Sequence, residues 1–186
     1  MGKIYIIDVT NRDGVQTAKL GLSKLAKTMI NMYLNEMGVY QSEFGFPTTK
    51  HESRYLRANL ELQRMGVLQP IRLEGWMRAT VEDVENAFKL VPEIKDLNLS
   101  TSTSSQMIGG KFQGRKSEED ILVMAMEALD AAKAHGAHTV GINAEDGSRT
   151  DMDFLLRFAS LAKKHGADRL RYCDTLGYEN PFTIPP

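Results

Sequence analysis

Short apolar runs alternate along the chain with longer stretches in which apolar residues recur every three or four positions. The short runs predict buried strands, and the longer periodic stretches predict amphipathic helices. The predicted strands cover residues 4–9, 39–44, 71–74, 97–100, 139–143 and 169–173. The predicted helices cover residues 25–34, 55–62, 81–88, 121–129 and 154–162. Regular alternation of strands and helices indicates a parallel sheet.

Polar residues mark the starts of three of these helices. The pairs are Thr80 with Asp83, Ser117 with Asp120, and Thr150 with Asp153. A hydroxyl residue followed three positions later by an acidic residue is typical of a helix N-terminus. We therefore expect the third, fourth and fifth predicted helices to begin at these caps.

Weak internal repeats support a fold built from similar strand–helix units. Residues 132–137 resemble residues 162–167, and the segment 37–39 resembles 65–67. The spacing is about 30 residues, the size of one strand–helix unit. Each repeat contains a glycine where a helix is expected to end, because glycine accepts the left-handed conformation found there.

The number of units predicts an incomplete barrel. A closed (β/α)8 barrel needs eight units and about 250 residues, whereas about six are found here. We predict one catalytic domain over residues 1–186, a partial (β/α)8 TIM barrel whose unpaired edges need a second chain to close. A six-stranded open sheet is the alternative, disfavoured because no glycine-rich dinucleotide turn follows the first strand.

Composition narrows the classes of partner. The 186 residues are 42% hydrophobic and 25% charged, with a net charge of -1. This balance favours neither nucleic acid nor an anionic membrane as a partner. The single cysteine, Cys173, excludes an internal disulfide and favours the cytoplasm. No long apolar stretch or signal peptide is found.

Candidate chemistry lies where the predicted strands end. The first strand is followed by Arg12, Asp13 and Gln16. A carboxylate can hold a divalent cation, and a guanidinium can stabilise a developing oxyanion. Glu43 and Glu145 close two further strands. In a barrel, such residues are expected to meet at one end of the sheet.

Five segments, in order, resemble one enzyme family. Residues 8–16 resemble the D-x-T-L-R-D-G-x-Q signature of the metal-dependent Claisen-condensing acyltransferases and lyases, with Asn11 in place of the usual leucine. The other four are residues 43–47, 103–104, 145–151 and 174–181, similar to the family's I-E-x-G-x-P, Thr-Ser, E-D-A-S-R-T-D and D-T-x-G-x-x-x-P. Residues 11–17 and 171–177 are most similar to homocitrate synthases of the nitrogen-fixation type.

The resemblance implies a reaction and a set of site residues. Homocitrate synthases condense acetyl-CoA with 2-oxoglutarate, assisted by a divalent metal cation such as Mg, Mn or Zn, and release CoA. By position, Asp13 matches the metal-binding carboxylate, and Arg12 matches the arginine at the substrate carbonyl. The implied catalytic residues are Arg12 and Glu43; the implied substrate-binding residues are Arg12, Gln16, Thr175 and Glu145.

One departure from the family predicts a missing part. The family's remaining metal ligands are a His-x-His pair on strand seven, and none of His51, His135, His138 and His165 forms such a pair. The resemblance therefore implies the N-terminal portion of a split or truncated enzyme. A complementary C-terminal synthase subunit is the expected partner, and the chain alone is expected to be inactive.

Several alternatives stay open at this point. The 2-oxo acid can instead be that of an isopropylmalate or citramalate synthase, or the chain can be a non-catalytic barrel fragment that binds a complete synthase. Arg12 and Asp13 can form a purely structural ion pair. Glu145 can belong to the pocket or to the scaffold. The basic segment 111–116 can meet the phosphates of CoA or be a solvated loop.

Overall fold

The computed structural model describes residues 3–184 and alternates strands with helices. The strands are β1 (Ile7–Asp8), β2 (Gln41–Gly45), β3 (Arg72–Arg78), β4 (Asp96–Ser102), β5 (Thr139–Glu145) and β6 (Arg169–Tyr172). The helices are α1 (Lys24–Glu36), α2 (Lys50–Arg64), α3 (Val81–Leu90), α4 (Ser105–Lys111), α5 (Glu118–Ala134) and α6 (Met152–Lys164). Two short 3-10 turns, Gly14–Gln16 and Gly147–Arg149, follow β1 and β5.

The strands follow one another in the sheet in chain order, from β1 to β6. The pairs β1–β2, β2–β3 and β5–β6 are parallel. In-order parallel strands that alternate with helices define a partial TIM barrel, so the predicted fold class is confirmed. The single domain over residues 1–186 and the need for a second chain stay predictions.

The first strand is shorter than the sequence pattern indicates. Residues 4–9 were expected to be extended, but the paired strand is Ile7–Asp8. Ile4 and Ile6 are 89% and 65% exposed. An apolar run predicts burial, but burial needs a neighbour, and within residues 3–184 β1 has a sheet neighbour on one side only.

The described chain divides into two units, each with its own apolar core. Unit 1 runs up to Met77 and adds Glu85–Asn98; unit 2 comprises Arg78–Val84 and the chain from Leu99 onward. Fully buried side chains of unit 1 include Phe44, Leu56, Leu73, Ile94 and Leu97. Those of unit 2 include Leu99, Ile121, Leu129, Ile142 and Phe158. The periodic apolar positions of the sequence supply both cores.

Four helices end in the way that the repeats predict. Gly38, Gly66, Gly136 and Gly166 follow α1, α2, α5 and α6, with φ between 74° and 83°. A residue with a side chain is strained in this left-handed conformation, so glycine ends these helices at little cost.

Two of the predicted helix starts are confirmed, and the third is wrong. Ser117 and Asp120 form a capping box at α5, and Thr80 accepts a hydrogen bond from the Asp83 amide before α3. Helix α6 instead begins after Asp151, whose carboxylate accepts from the Phe154 amide at 3.1 Å. The Thr150 hydroxyl donates to the Asp146 carbonyl, so it is used in the preceding turn.

Helix α4 was not predicted. Ser104 begins it by accepting from the Met107 amide at 3.1 Å. The helix is seven residues long and contains Gly109 and Gly110, so it carries no apolar period that a sequence window detects. None of the helices within residues 3–184 combines the length and apolarity needed to cross a bilayer.

A substitution at Gly75 tests how tightly unit 1 is packed. A Cβ added to Gly75 would lie 2.3 Å from Cδ1 of Ile94, a side chain with no solvent exposure. We expect Gly75→Ala to lower the free energy of unfolding by about 1–3 kcal/mol, because overpacking displaces buried groups. The measurement is urea denaturation of the chain.

Gly109→Ala is the matched control for this substitution. Nothing lies within 4 Å of a Cβ at Gly109, which is inside α4. We expect the free energy of unfolding of this control to rise by up to about 1 kcal/mol, because alanine is more favourable than glycine inside a helix. Equal stability of Gly75→Ala and the unchanged chain would contradict the tight contact.

Candidate active site

In unit 1, a tight turn places the Arg12–Asp13 pair directly after β1. The Asp8 carboxylate accepts from the amide and hydroxyl of Thr10 at 2.9 and 3.0 Å. The backbone amides of Arg12 and Asp13 then donate to the Val9 carbonyl at 3.1 and 2.8 Å. These bonds fix the chain direction at the carboxyl end of the strand, where barrel enzymes carry catalytic groups.

The Arg12 guanidinium contacts two carboxylates and one aromatic ring. Its Nη1 lies 2.7 Å from Oδ1 of Asp13, and its Nε lies 3.8 Å from Oε1 of Glu43. Its Cζ lies 3.5 Å from the centroid of the Trp76 ring. The Arg12 side chain is 13% exposed, whereas that of Asp13 is 63% exposed. The ion pair that the sequence left as an alternative is therefore present, and most of the Asp13 carboxylate remains accessible.

Glu43 is buried behind this arginine. It is 2% exposed, and its Oε2 accepts from Nδ2 of Asn98 at 2.9 Å. Its Cα partner on β3 is Glu74, which has no solvent exposure. A buried carboxylate is stable only with charged or hydrogen-bonding partners, which Arg12 and Asn98 supply.

Gln16 joins the same group of residues through a cavity of about 240 Å³ in unit 1. Both Arg12 and Gln16 line it, and Lys27 and Glu52 line it with an ion pair of 2.6 Å. Gln16 ends the 3-10 turn that follows Asp13, so a single turn carries three of these residues into or beside the cavity lining. The structure therefore brings together Arg12, Asp13, Gln16 and Glu43, the four predicted site residues of unit 1.

In unit 2, Glu145 ends β5 and is held by two side chains. Its Oε2 accepts from the Ser102 hydroxyl at 2.7 Å and from Nζ of Lys111 at 2.8 Å. Lys111 closes helix α4, the element that the sequence pattern missed. These contacts give Glu145 a structural role; its predicted role in substrate binding stays a prediction.

Asp146 connects the two predicted site residues of unit 2. Asp146 follows Glu145 directly, and its backbone amide donates to the Thr175 hydroxyl at 2.9 Å. Its carboxylate has no solvent exposure and accepts from the Ser104 hydroxyl and from Arg149, whose Nη2 lies 2.5 Å away. The residue has φ 61°, a conformation that aspartate tolerates better than most side chains. This network fixes the backbone directly after Glu145 and joins it to Thr175.

The Asp146 network predicts a change of stability at acidic pH. Hydrogen bonds from Arg149, and secondarily from Ser104, lower the pKa of Asp146 although burial opposes them. A carboxyl with a lowered folded-state pKa stabilises the fold fully above its unfolded pKa of about 3.9. That stabilisation is lost as the pH falls through the folded pKa.

We therefore expect Asp146→Asn to reduce the loss of unfolding free energy between pH 5 and pH 2. Urea denaturation at several pH values in that interval measures it. Asp153→Asn, at an exposed position of unit 2, is the control and is expected to retain the full acid dependence. An unchanged acid dependence in Asp146→Asn would show that this carboxylate does not supply it.

The described residues alone do not form a metal centre. Within residues 3–184, no group of three or more histidine, cysteine, aspartate or glutamate side chains could hold an ion. The accessible carboxylate of Asp13 can contribute one ligand, but a catalytic cation needs several. The residues of this chain therefore fit part of a cation site at most.

The sequence did not indicate two residues that contact the site residues of unit 1, Trp76 and Asn98. Lys111 was predicted only as part of the basic segment 111–116, and the structure places it at the end of α4, paired with Glu145. The predicted third strand ended at Glu74, two residues before Trp76, because Gly75 interrupts the apolar run. Asn98 lies inside a strand, where an amide gives no periodic signal. The polar residues at the strand ends were the available signal. They indicated the residues that Trp76 and Asn98 contact, Arg12 and Glu43, but not Trp76 and Asn98 themselves.

The chain is similar to several proteins that are named as synthases. It is 67% identical over 184 residues to the citrate (Re)-synthase of Dehalococcoides mccartyi, covering 99% of this chain and 44% of that protein. It is 39% identical to 2-isopropylmalate synthase 2 of Caldanaerobacter subterraneus, covering 96% of this chain and 44% of that protein. It is 31% identical to homocitrate synthase 1 of Nostoc sp., covering 98% of this chain and 46% of that protein. The chain thus spans less than half the length of these curated relatives.

Solved structures agree on the fold. The hydroxymethylglutaryl-CoA lyase of Pseudomonas aeruginosa has a TM-score of 0.74 at 18% identity, covering 96% of this chain and 60% of that one. The HMG-CoA lyase of Bacillus subtilis has a TM-score of 0.71 at 19% identity, covering 97% and 61%. The predicted superfamily is confirmed, whereas homocitrate synthase of the nitrogen-fixation type stays a prediction. Because the HMGL-like family matches residues 3–185, the chain belongs to that family.

Proposed function

We propose that this chain carries the 2-oxo acid end of an acyltransferase that condenses acetyl-CoA with a 2-oxo acid. The observation that carries the proposal is the fixed Arg12 guanidinium, held by Asp13, Glu43 and Trp76 at the carboxyl end of β1. A mostly buried guanidinium stabilises negative charge far better than one in water. The relatives named as citrate, homocitrate and 2-isopropylmalate synthases support this kind of reaction.

The proposed reaction forms one carbon–carbon bond. A general base takes a proton from the acetyl methyl group, and the resulting enolate carbon attacks the carbonyl carbon of the 2-oxo acid. The carbonyl electron pair becomes an alkoxide, towards which Arg12 donates hydrogen bonds before it is protonated. Water then cleaves the thioester and releases CoA, which makes the condensation favourable.

The other predicted residues have supporting roles in this proposal. Gln16 and Thr175 bind the substrate, and Glu145 is proposed to line the pocket. Glu43 faces Arg12 at 3.8 Å, which supports the predicted catalytic role through the orientation of the guanidinium. Asp13 is proposed as this chain's ligand to a divalent cation (Mg, Mn or Zn), supported by its accessible carboxylate. The remaining ligands would come from outside the described residues.

We infer that the 2-oxo acid is a dicarboxylic one, and two candidates have separate support. The likeness to the citrate (Re)-synthase of Dehalococcoides mccartyi favours citrate, which acetyl-CoA forms with oxaloacetate. The similarity of residues 11–17 to homocitrate synthases favours homocitrate, which acetyl-CoA forms in the same way with 2-oxoglutarate. The substrates differ by one methylene group, which is worth about 1–3 kcal/mol of discrimination.

A complementary part of the synthase is the proposed partner. The chain matches 44–46% of the length of its synthase relatives, and its described residues form no complete cation site. We propose that a second segment, on a separate polypeptide or on a longer form of this one, supplies the missing ligands. Acetyl-CoA would bind the assembled protein.

The test is reconstitution of the reaction. Thiol release from acetyl-CoA is measured for the chain alone and with the complementary segment, with Mg²⁺, Mn²⁺ or Zn²⁺. Oxaloacetate, 2-oxoglutarate, 2-oxoisovalerate and pyruvate are compared at equal concentrations. We expect no activity from the chain alone, and restored activity with a dicarboxylic 2-oxo acid when the segment is present.

Every other outcome of the reconstitution experiment contradicts a specific part of the proposed function. Thiol release by the chain alone refutes the need for a complement, and preference for 2-oxoisovalerate or pyruvate refutes a dicarboxylic substrate. A complement that is fully active without this chain supports the non-catalytic fragment. Failure of the assembled protein with every 2-oxo acid refutes the condensation itself.

A further inference from the structure

Trp76 lies beside the proposed reaction centre in a position fixed by two strands. Gly45 on β2 and Gly75 on β3 are Cα partners in the parallel register, so Phe46 directly after β2 and Trp76 within β3 are neighbours. Their rings meet edge to face at 88°, with centroids 5.1 Å apart. This arrangement is a favourable one for two aromatic rings, and it limits rotation of the indole.

The indole covers the face of the Arg12 guanidinium. The distance of 3.5 Å from Cζ to the ring centroid is well inside the limit of about 6 Å for a cation–π contact. Tryptophan gives the strongest contact of this kind, and the low exposure of the arginine strengthens it further.

The two carboxylate contacts reach the nitrogen atoms of the guanidinium, whereas the indole covers its face. Asp13 is 63% exposed, and ion pairs with exposed partners contribute little. Glu43 is buried, but its Oε1 lies 3.8 Å from Nε, beyond hydrogen-bond distance. The stacked ring contacts the face of the guanidinium and therefore restrains its plane.

We propose that Trp76 is a positioning residue that holds the Arg12 guanidinium in the plane needed to meet the developing alkoxide. This role rests on the proposed condensation. Trp76 acts through Arg12, and the loss of its ring face lowers kcat more than it raises KM. The guanidinium remains present without the ring, so substrate binding persists while transition-state stabilisation falls.

A first experiment tests the contact without catalysis. Trp76 is the single tryptophan of the chain, so intrinsic fluorescence reports its surroundings alone. Emission of the 186-residue chain is compared with that of Arg12→Gln, Arg12→Lys and Arg57→Gln. Arg57 pairs with Glu93 at an exposed position and is the matched control. Far-UV circular dichroism confirms that each variant is folded.

The expected result is a change of emission in Arg12→Gln, a smaller one in Arg12→Lys, and none in Arg57→Gln. Emission of a folded Arg12→Gln identical to that of the unchanged chain overturns the contact. If Arg12→Gln unfolds, Arg12→Lys decides the question in the same way. This result stands whether or not the assembled protein condenses any 2-oxo acid.

A second experiment tests the role in the reconstituted enzyme. Trp76→Leu is expected to lower kcat about tenfold while KM changes less than twofold, as loss of a buried cation–π contact predicts. Trp76→Phe keeps a ring face and is expected to remain within about threefold of the unchanged kcat. Tyr33→Ala, at an exposed position of α1, is the control.

Three kinetic results overturn the positioning role. They are a Trp76→Leu enzyme with unchanged kcat, a loss confined to KM, and a Trp76→Phe enzyme as impaired as Trp76→Leu. If the reconstituted enzyme is inactive without any substitution, the proposed condensation is contradicted. The fluorescence result then still decides whether Arg12 contacts Trp76.

Discussion

Replacing Arg12 by glutamine is expected to lower kcat of the reconstituted condensation by about 10²–10³-fold, the usual cost of removing a donor that stabilises an oxyanion. The guanidinium is 13% exposed and is held on one face by Trp76, so water cannot replace it at low cost. Arg12→Lys keeps the charge but loses the planar group that stacks and donates twice, and is expected to be intermediate.

The measurement is steady-state thiol release, with Arg57→Gln as the control that removes an exposed arginine. Loss of Arg12 also leaves the carboxylate of buried Glu43 with less neutralising charge, so stability needs a separate check. The double variant Arg12→Gln/Glu43→Gln removes both charges and is compared by urea denaturation. Retention of a third or more of the original kcat in a folded Arg12→Gln enzyme would exclude the proposed role.

Asn31→Ala is expected to lower the free energy of unfolding by about 2–4 kcal/mol, since it leaves several buried polar groups without partners. The Asn31 Oδ1 accepts from Asn11 and Ser42 at 2.8 and 2.9 Å, and its Nδ2 donates to Tyr55 and Asn59 at 3.0 Å. Asn31 itself has no solvent exposure. One side chain thus joins the turn after β1, strand β2 and helix α2.

Urea denaturation of the chain measures this loss. Asn86→Ala is the matched control, because Asn86 is an exposed residue of α3 in the same unit. Its free energy of unfolding is expected to stay within about 0.5 kcal/mol of the original. If Asn31→Ala were as stable as Asn86→Ala, the buried hydrogen bonds would contribute nothing net to the fold.

The same network explains a residue that the sequence marked only as a departure. Asn11 stands where leucine is usual, and nothing in the local sequence indicates why. The structure shows that it is fully buried and donates to the Lys27 carbonyl and to Asn31, both at 2.8 Å. Hydrogen-bond partners 16 and 20 residues away leave no periodic signal, so pattern reasoning cannot find them.

Strand order was predictable, and the extent of the strands was not. The alternation of apolar runs and periodic helices is a local property, so it identified all six strands. The bounds depend on what a strand packs against: β1 is shorter than its apolar run, and β3 continues past Gly75 to Arg78. For this reason the sequence indicated Arg12 and Asp13 but missed Trp76, the ring on which Arg12 stacks.

The spacing of the strand pairs β1–β2, β2–β3 and β5–β6 along the chain has a consequence for the kinetics of folding. Partners such as Ile7 and Gln41, or Gly141 and Arg169, are separated by about thirty residues in the chain. Loop-closure entropy depends on the logarithm of loop length, so each strand addition within a unit costs nearly the same. Each helix shortens the loop that it spans, which further lowers the entropic barrier. Because neighbouring strands in the sheet are close in sequence, the contact order is low for a parallel sheet. Folding is therefore expected to be faster than in a sheet whose paired strands are far apart in sequence.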